Sequence, residues 1–120
     1  MPDRISFITH RGKPIMQIDF SHCEPKEILL LLEEIRRTGH VREREQGAAL
    51  VDMSGAHIDR EVATRMKEVL VRDKPYVKRS AWIGTETVPK VYYENMKSFT
   101  QREFPSFQTR EEALDWLVKE

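Results

Sequence analysis

His22, Cys23 and His57, with Asp52 and Asp59 nearby, include the thiol, imidazole and carboxylate groups from which zinc sites are built. Adjacent His22 and Cys23 match no CxxC or HExxH spacing, so no metal and no cofactor is assigned. Cys23 stands just before a helix start at Pro25, where a positive helix terminus favours a thiolate, and His22 or His57 is an available base. No third orienting group and no oxyanion arrangement accompanies them, so Cys23 is read as an unreactive, partly buried loop thiol and the chain as a non-enzyme.

Gly84-Thr85-Glu86-Thr87 precedes a helix and offers N–H groups to an anion, but it has no P-loop Lys and Glu86 would repel the charge. It is read as helix capping. Arg36, Arg37, Arg42 and Arg44 run into Glu43 and Glu45, which fits a solvated surface better than a nucleic-acid face. Tyr92 and Phe99 fall at helical spacing and are read as core, leaving Tyr93 as the aromatic free to meet a ligand.

The elements that must position these groups are marked by punctuation and periodicity. Residues 4–10 and 14–20 read as strands of a hairpin around Arg11-Gly12-Lys13, with Met16, Ile18 and Phe20 alternating with Gln17 and Asp19. Pro25 opens a helix carrying Ile28, Leu31, Leu32 and Ile35 on one face, and Gly39 closes it. Ala48-Ala49-Leu50-Val51 is continuous rather than alternating, as expected for a central strand covered on both faces with parallel neighbours. Asp59 caps a second helix with Val62, Met66, Val69 and Leu70 inward, and Lys74-Pro75 ends it. Val77 to Ile83 reads as a strand. A third helix begins at 87–89 and buries Val88, Val91, Tyr92, Met96 and Phe99. A short strand at 103–107 leads to Thr109-Arg110-Glu111-Glu112, a capping box that opens a last helix bearing Ala113, Leu114, Leu117 and Val118. The order β-β-α-β-α-β-α-β-α predicts an α/β fold, a mixed sheet with helices packed on it. Ligands or partners of such sheets meet the loops after the carboxyl ends of the parallel strands. His10 and His40 are placed toward the other end.

Composition sets the outer bounds. The 120 residues are expected to form one domain, 1–120, and 20 Lys+Arg balance 20 Asp+Glu, so no surplus of positive charge points to nucleic acid. The longest aliphatic run, Ile28 to Leu32, is far too short to insert stably in a membrane. A lone cysteine and no visible signal peptide fit the cytoplasm. A homodimer is the default assembly.

Pro14 to Phe20, Val51-Asp52-Met53-Ser54-Gly55, Lys74-Pro75-Tyr76-Val77 and Thr109 through Leu117, in this order, resemble the bacterial SpoIIAA-like branch of the STAS (sulfate transporter and anti-sigma-factor antagonist) superfamily. The resemblance implies helices against a mixed sheet and a regulatory or protein-interaction role, with an unknown protein partner. Where regulatory STAS proteins carry an Asp-Ser-Ser-Gly segment with a phosphorylated serine, this chain matches only Asp59; Arg60 and Glu61 stand in place of the serines. An acidic Glu61 imitates phosphate in one reading and answers the helix macrodipole in the other, and the second carries more weight. The expected partner contact is Ser54, Gly55, His57, Asp59 and Glu61. The alternative is a carrier or sensor of a small hydrophobic molecule or lipid, in a pocket between sheet and helices, because the branch also resembles CRAL-TRIO-type lipid-binding folds. Met53, Met66 and Met96 would then form an adaptable wall. An enzyme using Cys23 or a metal is the remaining reading.

Overall fold

The computed structural model describes residues 4–38, 48–73, 77, 79–101 and 103–119. Strands β1 (Ile5–His10) and β2 (Lys13–Asp19) form the hairpin, and helix α1 (Pro25–Thr38) follows. Then come β3 (Ala48–Asp52), α2 (Arg60–Asp73), β4 (Arg79–Ile83), α3 (Lys90–Thr100), β5 (Ser106–Phe107) and α4 (Arg110–Leu117), with a 3-10 turn at Thr85–Thr87. The strands stand side by side in chain order in one five-stranded sheet. β1 is antiparallel to β2, and every later pair is parallel.

Because successive parallel strands step in one direction, right-handed crossovers put α1, α2 and α3 on the same face. The side-chain alternation of the strands then divides the apolar residues into two cores. Ile18, Val51 and Trp82 face Ile28, Leu32, Ile35, Val62, Met66 and Met96 of those helices. Ile15, Leu50, Ala81 and Ile83 face Ala113, Leu114, Leu117 and Val118 at α4. β3 lies between both cores, which is why Ala49, Leu50 and Val51 are all buried.

The caps explain the boundaries. The Glu27 carboxylate accepts the Glu24 backbone N–H at 2.9 Å, with Pro25 at the first helical position. Asp59 Oδ1 accepts the Val62 N–H at 2.8 Å, starting α2. Thr109 Oγ1 accepts the Glu112 N–H at 3.1 Å and donates to the Glu112 carboxylate, which starts α4.

The third helix departs from the reading of its sequence. Pro89 is its N-cap, so the helix begins at Lys90 and its inward face carries Tyr93, Met96 and Thr100. Val91 and Phe99 are each 61% exposed and are not core, and Tyr92 is only half-buried. Tyr93, expected to be free, packs against Trp82 and Phe104 at centroid distances of 5.6 and 5.5 Å. Its hydroxyl donates to the Phe104 carbonyl at 2.6 Å. Phe104 is fully buried and stacks on Trp82 at 4.9 Å, although it belongs to no strand. The strand expected at 103–107 contracts to Ser106–Phe107, and that expected from Val77 begins at Arg79. Gly39, the Lys74-Pro75 stop, His40, Arg42 and Arg44 lie outside the described residues.

Candidate functional site

The carboxyl ends of β2, β3 and β4 deliver three loops to one edge of the sheet, and these loops are laced together by their backbones. Phe20 N donates to Asp52 O at 2.9 Å, His22 N to Ser54 O at 2.8 Å, and His57 N to Cys23 O at 3.0 Å. Met53 N donates to Ile83 O at 2.9 Å, and the Thr87 hydroxyl to Ala56 O at 2.9 Å. Asp52 turns its carboxylate back on the Ser54 N–H at 2.9 Å, and Asp19 does the same to Ser21 at 2.8 Å. Buried polar backbone is thereby satisfied without regular structure.

Two glycines permit this closeness. Gly55 has φ +67°, and a Cβ there would lie 2.4 Å from His22 Nδ1. Gly84 also has φ +67°, and a Cβ there would lie 2.6 Å from the Ser54 backbone nitrogen. The Gly84 segment is therefore a junction between loops as well as the cap of the 3-10 turn at Thr85–Thr87, whereas α3 starts after Pro89 with no side-chain cap among the described residues. Thr85 Oγ1 instead lies 2.7 Å from Ser106 Oγ.

On this frame Ser54 and Gly55 are half-buried parts of the junction, whereas His57, Asp59 and Glu61 are exposed. His57 Nδ1 lies 3.8 Å from the exposed Glu24 carboxylate, an ion pair when the imidazole is protonated. The rim mixes Glu24, Asp59, Glu61 and Glu86 with Lys26 and Arg60, all exposed.

His22, Cys23 and His57 are brought onto adjoining loops as their positions required, but their neighbours are committed elsewhere. Asp52 holds Ser54 and Asp59 holds Val62. Among the described residues no group of three His, Cys, Asp or Glu side chains is placed to hold a metal ion. Cys23 is wholly rather than partly buried, and desolvation pushes its thiol pKa up; Arg4 opposes this and Glu27 and Asp19 add to it. A thiol so held is a poor nucleophile. His10 lies far from this rim: its Nε2 meets Asp115 Oδ1 of α4 at 3.1 Å, beside Arg11.

A second feature lies where the carrier alternative expected a pocket. Between the sheet and the helices α1 and α2, toward the amino ends of β3 and β4, is an apolar cavity of about 40 Å³ bordered by Met16, Val51, Met66 and Trp82. Of the three methionines expected on its wall only Met66 borders it; Met53 and Met96 are buried elsewhere in the same core.

No family model and no curated protein matches the chain. A solved structure does: an uncharacterised protein of the DUF3478 family with a SpoIIAA-like fold, from Shewanella loihica PV-4. It shares 19% identity at a TM-score of 0.57, over 95% of this chain and 92% of that one. The fold is SpoIIAA-like. Ser54, Gly55, His57, Asp59 and Glu61 lie between the end of β3 and the first turn of α2, at the edge where the loops interlock. Among the described residues no helix is long and apolar enough to cross a membrane.

Proposed function

We propose that this SpoIIAA-like domain is a non-enzymatic interaction module of the STAS type, which holds a protein partner against the loops following β2 and β3. The observation that supports this is the backbone lacing of those loops, above all His22 N to Ser54 O and His57 N to Cys23 O, beneath an exposed rim of His57, Asp59 and Glu61. A prearranged surface loses little conformational entropy on binding, so polar side chains on it give specificity. The predominance of carboxylates on the rim suits a partner that presents Lys or Arg. Compartment follows from the same reading: the cytoplasm keeps the lone Cys23 reduced.

The test is site-directed photo-crosslinking in cells from position 57, with exposed Glu111 on α4 as the control position. A protein captured from 57 and not from 111, whose affinity for the purified chain falls at least tenfold in His57→Ala/Glu61→Ala, is the expected result, at roughly 1.4 kcal/mol per decade. Identical captures from both positions, or a partner indifferent to the double substitution, would refute the placement.

A further inference from the structure

The sheet ends differently on its two sides. β5 is a two-residue strand preceded by Pro105, whereas β1 spans six residues and, among the described residues, pairs only with β2. Sheet edges are ordinarily blunted by shortness, charge, proline or a bulge, and the stretch from Ile5 to Thr9 carries none of these. The hairpin fixes which backbone groups line that edge. Arg11 and Gly12, both with positive φ, make a two-residue turn closed by His10 and Lys13. Bonded pairs then alternate: Asp19 N donates to Arg4 O at 2.8 Å, and Thr9 stands opposite Pro14, which has no N–H. Arg4, Ser6, Ile8 and His10 therefore turn their backbone groups to β2, and the N–H and C=O of Ile5 and Thr9 are directed outward. The flanking basic residues do not guard the edge. Arg4 Nη1 is drawn to the carbonyls of Asp19 and Ser21 at 3.2 and 3.0 Å, and His10 Nε2 to Asp115 Oδ1 at 3.1 Å.

We propose that β1 is a dimer interface, pairing antiparallel with β1 of a second copy of this chain across a two-fold axis at Phe7. Ile5 of each copy then faces Thr9 of the partner subunit, and each such pair exchanges two backbone hydrogen bonds. The strand is its own complement, because Ile5 and Thr9 stand at equal distances on either side of Phe7 and bring no charge to repel a second copy. The assembly closes at two: the opposite edge, β5, offers only two residues to a further chain. The axis reverses the strands, so two five-stranded sheets join into one whose loop rims lie at opposite ends. This names the interface of the homodimer expected by default. It holds whether or not the rim binds a partner, because it is read on the purified chain alone.

The experiment is sedimentation equilibrium of the full chain from about 1 μM to about 1 mM, the range in which a small interface dissociates. A monomer–dimer equilibrium with no larger species is expected. Thr9→Pro removes an outward N–H that β2 does not use, so the fold should persist by circular dichroism while dimerisation weakens at least tenfold. Register is read by oxidising single-cysteine variants, with the wild-type chain and its buried Cys23 as control. Ile5→Cys mixed with Thr9→Cys should cross-link, since facing residues of a bonded pair lie about 5.5 Å apart between Cα atoms, within disulfide reach. Neither variant should cross-link with itself, because four residues of offset separate the two thiols by about 14 Å. The proposal is overturned by a monomer at every concentration, by a dimer indifferent to Thr9→Pro, or by self-cross-linking that matches the mixed pair. A monomer whose Ile5 and Thr9 amides gain exchange protection only when another protein is added would overturn it in favour of a foreign strand on the same edge.

Discussion

At the carboxyl ends of β2, β3 and β4 the chain is held by backbone: loop carbonyls and N–H groups from three connections bond one another, and Gly84 and Gly55 let the strands' exits touch. Toward the amino ends the same sheet is held to α1 and α2 by side chains alone, with Met16, Met66 and Val69 around a void. Backbone lacing fixes geometry to within a hydrogen bond, whereas loose apolar packing leaves room for rearrangement at small cost. One end is thus held in a fixed geometry and the other is free to repack.

The sharpest way to break this contrast is to push a side chain into each junction. In Gly84→Ala the new Cβ meets the Ser54 backbone, 2.6 Å from N and 2.7 Å from Cα, at a φ that disfavours any L side chain. The cost should be about 3 kcal/mol, read as a lowered denaturation midpoint at unchanged slope. Gly55→Ala should cost about 2 kcal/mol, because its obstacle is the ring of the exposed His22, which can swing away. Equal costs, or a milder Gly84→Ala, would mean that the loops are looser than their hydrogen bonds imply.

Adding volume on the inner face compares the ends directly. Ala56 is fully buried among the loops, and Ala56→Val should destabilise by about 1–3 kcal/mol through overpacking. Ala49 borders the cavity, and Ala49→Val puts methyl groups into empty space in a strand that favours β-branching, so it should be neutral or stabilising by up to about 1 kcal/mol. Thermal unfolding of the two variants side by side decides the matter; a destabilised Ala49→Val would show that the void closes in solution.

Much of this arrangement was legible in the residues, for physical reasons. The hairpin, the doubly covered Ala48 to Val51 strand and the caps at Asp59 and Thr109 are local signals, set by alternation, continuity and short-range hydrogen bonds, and each appears where it was expected. The proximity of His22 to the Ser54–His57 loop followed from the parallel order of the strands. The inward face of α3 was misread because Val91, Tyr92, Tyr93, Met96 and Phe99 offer two apolar stripes, and tertiary partners chose between them: Trp82 and Phe104 select Tyr93. Phe104 itself reaches the core from an irregular segment, where no period exists to reveal it. Gly84 does open a helical turn, as its position suggests, but sequence says nothing about which backbone will approach a glycine, and here it is that of Ser54.

A smaller effect separates structure from recognition at the rim. Asp59→Ala removes the N-cap of α2 and should cost about 1 kcal/mol, whereas Asp59→Asn keeps an acceptor for the Val62 N–H and should cost only a few tenths. Partner affinity measured on both variants then isolates charge: if Asn binds like Asp, the carboxylate serves the helix alone; if Asn binds like Ala, the charge itself meets the partner.

Glu61 gives the smallest expected change and the finest distinction. It is exposed in the first turn of α2, where the helix dipole favours a negative charge whatever else the residue does. Glu61→Gln should therefore cost about 0.3–1 kcal/mol at low salt, and the loss should shrink as salt screens it. As a rim charge it should alter partner affinity only about two- to fivefold, mostly through the association rate. A loss of partner binding well beyond tenfold, with dissociation accelerated and stability scarcely changed, would instead make Glu61 a fixed counterpart of the phosphorylated serine in regulatory STAS proteins. The dipole acts on folding whether or not a partner is present, whereas a phosphate mimic is felt only in the complex, so the two measurements on one variant separate the explanations.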